Sequence, residues 1–114
     1  MANPSSSKAH IRGVAPKLFE MIEGTVYGDL WERPNLSRRD RSLITLAALI
    51  GMRQTDQMRS HFEKGIDHGL TADEIGEMIT HLAIYAGFPA AISAALVAKP
   101  LLTELGLIAE IDKP

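Results

Sequence analysis

The sequence predicts an all-α fold, a bundle of about five to six helices, and three observations carry that prediction. Strand-period alternation of apolar and polar residues is absent, and apolar residues recur at spacings of three and four instead. Helix-start chemistry precedes several of these runs, at Ser37, at Thr55-Asp56 and at Thr71 with Glu74. Short breakers, among them Gly28, Gly69 and Gly87, separate the runs, so the connections have the length usual in helical bundles.

Taken in order, residues 1–10 read as a polar, Ser-rich, flexible tail, and residues 11–114 as a single helical domain. Residues 15–27 form a first helix with Leu18, Met21, Ile22 and Val26 on one side. Gly28 to Leu36 is a loop, with Gly28, Pro34 and Asn35 as its breakers. Ser37 caps a second helix that runs to about Gln54 and is apolar nearly all round from Leu43 to Met52. A helix of that kind is covered on several sides, by its own domain or by another subunit. Thr55 and Asp56 open a third helix, with Gly69 as its left-handed terminator. The capping-box pair Thr71 and Glu74 opens a fourth, whose stripe is Ile75, Met78, Ile79, Leu82, Ala83 and Ala86. Gly87 ends it, and Pro89 starts a fifth helix to about Gly106, which Pro100 should kink or interrupt.

The bulk composition bounds the function. A chain of 114 residues holds one core, and its 46% hydrophobic and 23% charged residues are ordinary for a globular domain. Net charge is −2, with no basic excess for nucleic acid or an anionic membrane. No run is apolar for a membrane-spanning length, and the polar start shows no secretory signal, so a cytoplasmic location is expected. The absence of cysteine removes disulfides, thiolate metal sites and thiol catalysis together. Neither a metal-ligand spacing nor a nucleotide-binding glycine motif occurs.

Candidate chemistry rests on two helix edges and an arginine group. His61 lies at the border of the stripe made by Met58, Phe62 and Gly65, and Gly65 takes side-chain bulk away one turn later. Two readings of it stand: an imidazole beside a ligand space, or a half-buried histidine bonded to a neighbouring helix. His68 reads as a cation near a helix C-terminus. Glu74, His81 and Tyr85 share one edge of the fourth helix and can form a proton-handling set or an ordinary polar rim, with Glu74 also engaged as a cap. Arg38, Arg39 and Arg41 crowd the start of the second helix, where cations oppose the helix dipole. They attract carboxylates there, either from a ligand or from Asp40, Glu32 or a neighbouring subunit. Trp31 is a packing anchor or the wall of a pocket.

Several motifs then form one recognisable set: Trp31-Glu32-Arg33-Pro34, Leu36-Ser37-Arg38-Arg39-Asp40-Arg41-Ser42-Leu43, His61, Gly69-Leu70-Thr71 with Glu74, and Tyr85-Ala86-Gly87-Phe88-Pro89-Ala90-Ala91. From about Tyr27 to Leu105 the chain resembles the carboxymuconolactone decarboxylase family, within the alkylhydroperoxidase D-like superfamily. That resemblance implies an all-helical domain assembled as a homo-oligomer, trimer or hexamer, with sites near subunit contacts. The redox branch of the superfamily carries C-x-x-C-x-x-x-H followed by a glycine, and here Gln54 and Gln57 stand at the cysteine positions while His61 and Gly69 keep their spacing. Glutamine forms no thiolate, so a thiol peroxidase cycle is closed to this chain.

The resemblance implies a decarboxylase that acts in aromatic-compound catabolism on a small carboxylated lactone, such as 4-carboxymuconolactone. No cofactor is required, because the lactone carbonyl takes up the electrons. On this reading His61, His81 and Glu74 are catalytic, and Arg38, Arg41, Trp31, Tyr85 and Ser42 bind substrate. Two features depart from the family pattern. Asp67 and His68 stand where decarboxylases often have an asparagine pair, and Ile92 stands where many have another asparagine. A divergent acid or lactone substrate, or a non-catalytic oligomeric binding protein, is the alternative.

Overall fold

The computed structural model describes residues 4–109. Among them are six α-helices and no strand: α1 (Pro4–Val14), α2 (Pro16–Met21), α3 (Arg38–Gly51), α4 (Thr55–Asp67), α5 (Ala72–Tyr85) and α6 (Phe88–Glu104). A π-helical segment, Ile22–Tyr27, continues α2, and a 3-10 turn, Leu30–Glu32, precedes α3. The contacts group into two compact units that divide in sequence between Arg41 and Ser42. No helix among the described residues is long and apolar enough to cross a membrane.

In the first unit, most of the stretch expected as a tail belongs to α1. Its C-terminal end runs directly into α2, with Ala15 N–H donating to Ile11 C=O at 2.7 Å. Two side-chain contacts tie the start of the chain to the next helix. The Arg12 guanidinium sits 4.4 Å above the Phe19 ring, and Lys8 pairs with Glu23 at 3.4 Å. The helix expected over 15–27 is present, but its second half is wound wider, as a π-helix. Trp31 is buried in the 3-10 turn, its ring 5.7 Å from that of Tyr27. Ser37 caps α3 as its position predicts: Asp40 N–H donates to Ser37 Oγ at 3.0 Å.

The second unit holds the larger core. Leu46 and Ile50 of α3, Met58 and Phe62 of α4, Leu70, Ile75 of α5, and Ala90, Ala94, Ala98, Leu101 and Leu102 of α6 pack into one cluster. Alanines on the buried face of α6 let it approach α4 and α5 closely. Pro100 does not interrupt α6, which continues as one helix to Glu104. The face of α3 that the sequence shows as apolar all round is only partly covered: Leu46 and Ile50 are fully buried, whereas Ile44 and Met52 on the far side are 56% and 61% exposed.

Three helices of this unit end in the same hydrogen-bond pattern. After α4, Leu70 N–H donates to Gly65 C=O at 2.8 Å and Gly69 N–H to Ile66 C=O at 3.0 Å. After α6, Leu107 donates to Leu102 at 2.9 Å and Gly106 to Thr103 at 3.0 Å; after α3, Gln54 donates to Leu49 at 2.9 Å and Arg53 to Ile50 at 3.1 Å. Each is a Schellman turn, which needs a left-handed residue. Gly69 (φ 108°) and Gly106 (φ 72°) meet that need without strain, and Arg53 takes it at φ 58°. The next helix, α5, opens with a complete capping box: Glu74 N–H donates to Thr71 Oγ1 at 3.1 Å, and Thr71 N–H to Glu74 Oε1 at 3.0 Å.

Two stability outcomes follow for chemical denaturation. Arg53→Gly relieves a β-carbon clash in the left-handed conformation and raises stability by about 0.5–1 kcal/mol. Thr71→Ala removes the cap acceptor and lowers it by about 1 kcal/mol. Unchanged denaturation midpoints in both variants would contradict these assignments of strain and capping.

Candidate active site

Each candidate side chain has its place set by the helix that carries it. In the first unit, Arg38 Nη2 donates to both carboxylate oxygens of Glu32, at 2.7 and 2.6 Å. Arg39 lies 3.5 Å from Asp40, and Arg41 Nη2 donates to Arg33 C=O at 3.3 Å. The carboxylates that the arginine group attracts therefore include ones from the chain itself. Arg41 Nε is buried and has no hydrogen-bond partner among the described residues. Trp31 packs on Tyr27, as an anchor of the turn before α3.

The second unit holds Ser42, His61, Glu74, His81 and Tyr85. Ser42 is the one buried polar residue among those described, at 0% exposure, and it faces inward with Leu46 and Ile50 on α3. A hydroxyl with no access to water needs a partner. It finds His68, whose Nδ1 is 2.8 Å from Ser42 Oγ. His68 is also the C-cap residue of α4, so the bond ties the end of that helix to α3. The sequence reading of His68 as a terminal cation missed this bond. The usable signal was the register of Ser42 with Leu46 and Ile50, which marks the hydroxyl for burial.

His61 occupies the middle of α4 and is half-buried. Its Nδ1 is buried and unpartnered among the described residues. Burial, aided by the nearby Lys64 ammonium, lowers its pKa from the ordinary 6.5 to about 4. The ring is therefore neutral at pH 7, with one nitrogen as donor and the other as acceptor. The room next to it at Gly65 is not a ligand space: a β-carbon there would lie 2.8 Å from Leu70 Cδ1 and 3.5 Å from Leu46 Cδ1. The core fills it.

On α5, His81 and Tyr85 are brought together, with ring centroids 4.9 Å apart and a tilt of 31°. Both are exposed, Tyr85 at 76%. Glu74 lies two turns earlier, and its Oε1 is engaged in the capping box. The shared edge predicted for these three residues exists, but only the imidazole and the phenol touch. No group of three His, Cys, Asp or Glu able to hold a metal ion occurs among the described residues. Chemically, the second unit offers a neutral, partly dehydrated imidazole at His61 and a water-facing His81–Tyr85 pair.

Comparison with known proteins bears on what such groups are for. The carboxymuconolactone decarboxylase family model matches residues 16–100. The chain is 38% identical over 89 residues to 4-carboxymuconolactone decarboxylase of Acinetobacter baylyi, across 78% of this chain and 66% of that protein. It is 34% identical over 95 residues to nitrosuccinic acid decarboxylase of Metarhizium robertsii, across 83% of this chain and 66% of that protein. The matched stretch is thus just short of two thirds of each relative's length.

The depressed pKa of His61 has a consequence for stability. The unfolded chain protonates this ring near the ordinary 6.5, the folded chain only near 4. Between those values the unfolded state binds more protons, so stability present above pH 6.5 is lost as pH falls toward 4 and levels off below it. Urea midpoints measured from pH 7 to pH 4 are expected to decline more steeply in the wild type than in His61→Gln. Parallel declines would show that His61 is not held neutral.

Proposed function

The chain belongs to the carboxymuconolactone decarboxylase family, and from that premise we propose that it is a cofactor-independent carboxy-lyase acting on a small carboxylated substrate. The observation that carries the proposal is His61: a ring kept neutral by burial, with a buried nitrogen that no described residue satisfies. The names of the two relatives frame the substrate class. One acts on a carboxylated lactone and the other on nitrosuccinic acid. In both substrates the carboxylate can send its bonding electrons to an oxygen acceptor, a lactone carbonyl in one and a nitro group in the other.

The chemistry asked of the protein is then limited. The bond from carbon to the carboxylate breaks, CO2 departs, and the electron pair is delocalised onto the acceptor oxygen. One proton returns to carbon to complete the product. A neutral imidazole that donates a hydrogen bond stabilises the developing oxyanion without first having to lose a charge. We assign this role to His61. His81 assists the proton's return and is favoured over Glu74, since Glu74 Oε1 is committed to the cap. Arg38 and Arg41 are our candidates for holding carboxylate, with Arg38 exchanging Glu32 for the ligand. Trp31, Ser42 and Tyr85 complete the binding set, Ser42 through His68.

The finer reading is 4-carboxymuconolactone as substrate, in aromatic-compound catabolism, by a cytoplasmic homo-oligomer of three or six copies. A second reading is a non-catalytic oligomeric binding protein that has kept the fold. The observation favouring it is that Arg38 and Glu74 are both already bonded within the chain.

Purified protein given 4-carboxymuconolactone and, separately, nitrosuccinic acid is expected to release CO2 from one of them. His61→Ala should lower kcat by about 10²–10³-fold, the usual loss on removing an oxyanion donor. A folded protein that turns over neither compound would favour the binding reading, and full activity in His61→Ala would remove His61 from the site.

A further inference from the structure

Gln57, His61 and Lys64 of α4 and its C-cap His68 recur at spacings of four, three and four, so they stand on one edge of the helix. That edge bears nitrogen groups and no carboxylate. The acids of α4, Asp56, Glu63 and Asp67, fall together on another face, roughly 100° round the axis. The helix beside the nitrogen edge is α3. Ser42 Oγ lies 2.8 Å from His68 Nδ1, and a β-carbon on Gly65 would lie 3.5 Å from Leu46 Cδ1. The part of α3 in the second unit brings no acid either, since neither Asp nor Glu occurs between Asp40 and Asp56.

Lys64 is half-buried and follows His61 by one turn, about 4.5 Å along the axis and about 60° round it. Its ammonium is felt at the ring: after burial, it is the second cause that holds the His61 pKa low. The other cations described in this unit lie elsewhere. Arg59 leaves α4 by a different face and pairs with Glu104 at 2.9 Å, Arg53 is in the turn after α3, and Lys99 is on α6.

We propose that Lys64 is a specificity-determining residue that binds the carboxylate a dicarboxylic substrate keeps, while His61 serves the oxygen that gains charge; this rests on the carboxy-lyase reading above. The compounds named for the two relatives are both dicarboxylic acids, so one carboxylate survives when the other leaves as CO2. The departing group loses its charge in the transition state. A cation on it would stabilise the ground state more and slow the reaction. The surviving group carries the same charge throughout, so an ammonium on it adds equally to both states and shows in KM. An edge with a neutral imidazole and an ammonium one turn apart, and no acid of its own, suits a small dianion reacting at one end.

The test uses the full chain. Lys64→Gln should raise KM for 4-carboxymuconolactone or nitrosuccinic acid by about 10- to 100-fold, the loss of a charge-assisted hydrogen bond, with kcat within about twofold of wild type. Lys64→Arg should largely restore KM. Succinate, which has the two carboxylates but no electron acceptor, gives a readout apart from turnover. At millimolar concentration it should move the His61 ring signal in the NMR spectrum of the wild type and of Lys64→Arg, but not of Lys64→Gln; neutral succinamide should move none. Lys64→Met, which keeps the aliphatic stem, replaces the Gln variant should that one lose its helical circular dichroism. An unchanged KM in a folded Lys64→Gln overturns the assignment. So does a fall in kcat at constant KM, which would place Lys64 on the developing charge. Failure of the wild type to turn over either compound overturns the carboxy-lyase reading, and the succinate spectra then decide Lys64 by themselves: a shift that needs the cation supports the anchor, and no shift in the wild type overturns it.

Discussion

A β-carbon at residue 65 would stand 2.8 Å from Leu70 Cδ1. The second unit depends on that close approach. Leu70 reaches its place because the Schellman turn at Gly69 folds the chain back over the last turn of α4. It joins Leu46 and Ile75 in the buried cluster to which α3, α4 and α5 all contribute. Thr71 follows at once and starts α5 through its capping box. The start of α5 is decided within these few residues, and α6 then packs on both α4 and α5. Gly65 is there for packing, and its lack of a side chain makes room for a core leucine rather than for a ligand.

Three histidines in this unit show how surroundings divide one residue type into separate tasks. His61 is half-buried, neutral at pH 7 and unsatisfied at one nitrogen. His68 has the same nitrogen bonded to the buried Ser42 hydroxyl, and so serves to hold α3 against the end of α4. His81 lies in water against a phenol. Only the first pairs dehydration with unused hydrogen-bonding capacity, the combination expected where charge develops during a reaction.

What could be read from the sequence was mostly local. The Ser37 cap, the Thr71–Glu74 box and the Gly69 terminator each depend on residues within one helical turn, and all three are where the sequence puts them. Family membership was legible because its motifs extend over most of the chain. Non-local pairings were harder. Ser42 and His68 are 26 residues apart, and nothing near either names the other. Arg38 had Glu32, Asp40 and a ligand as possible partners, and only geometry selects Glu32. Pro100 was expected to kink or interrupt its helix, and the interruption does not occur: α6 runs on to Glu104, buried on its core side by Leu101 and Leu102. There tertiary packing outweighs local preference. Likewise, residues 4–14 are helical although their composition reads as a tail.

The uncharged span between Glu77 and Lys99 has a consequence for the newly made chain. Charges that interrupt or flank an apolar stretch act as gatekeepers, slowing indiscriminate clumping while a protein waits to fold. Here the nearest gatekeepers are the two residues at the ends, and the exposed apolar ridge of Ile84, Phe88, Ile92 and Leu96 has none within it. While that ridge is exposed, folding competes with aggregation at a rate set by concentration. Yield of soluble protein should therefore depend on how fast chains are made as much as on how stable the finished fold is.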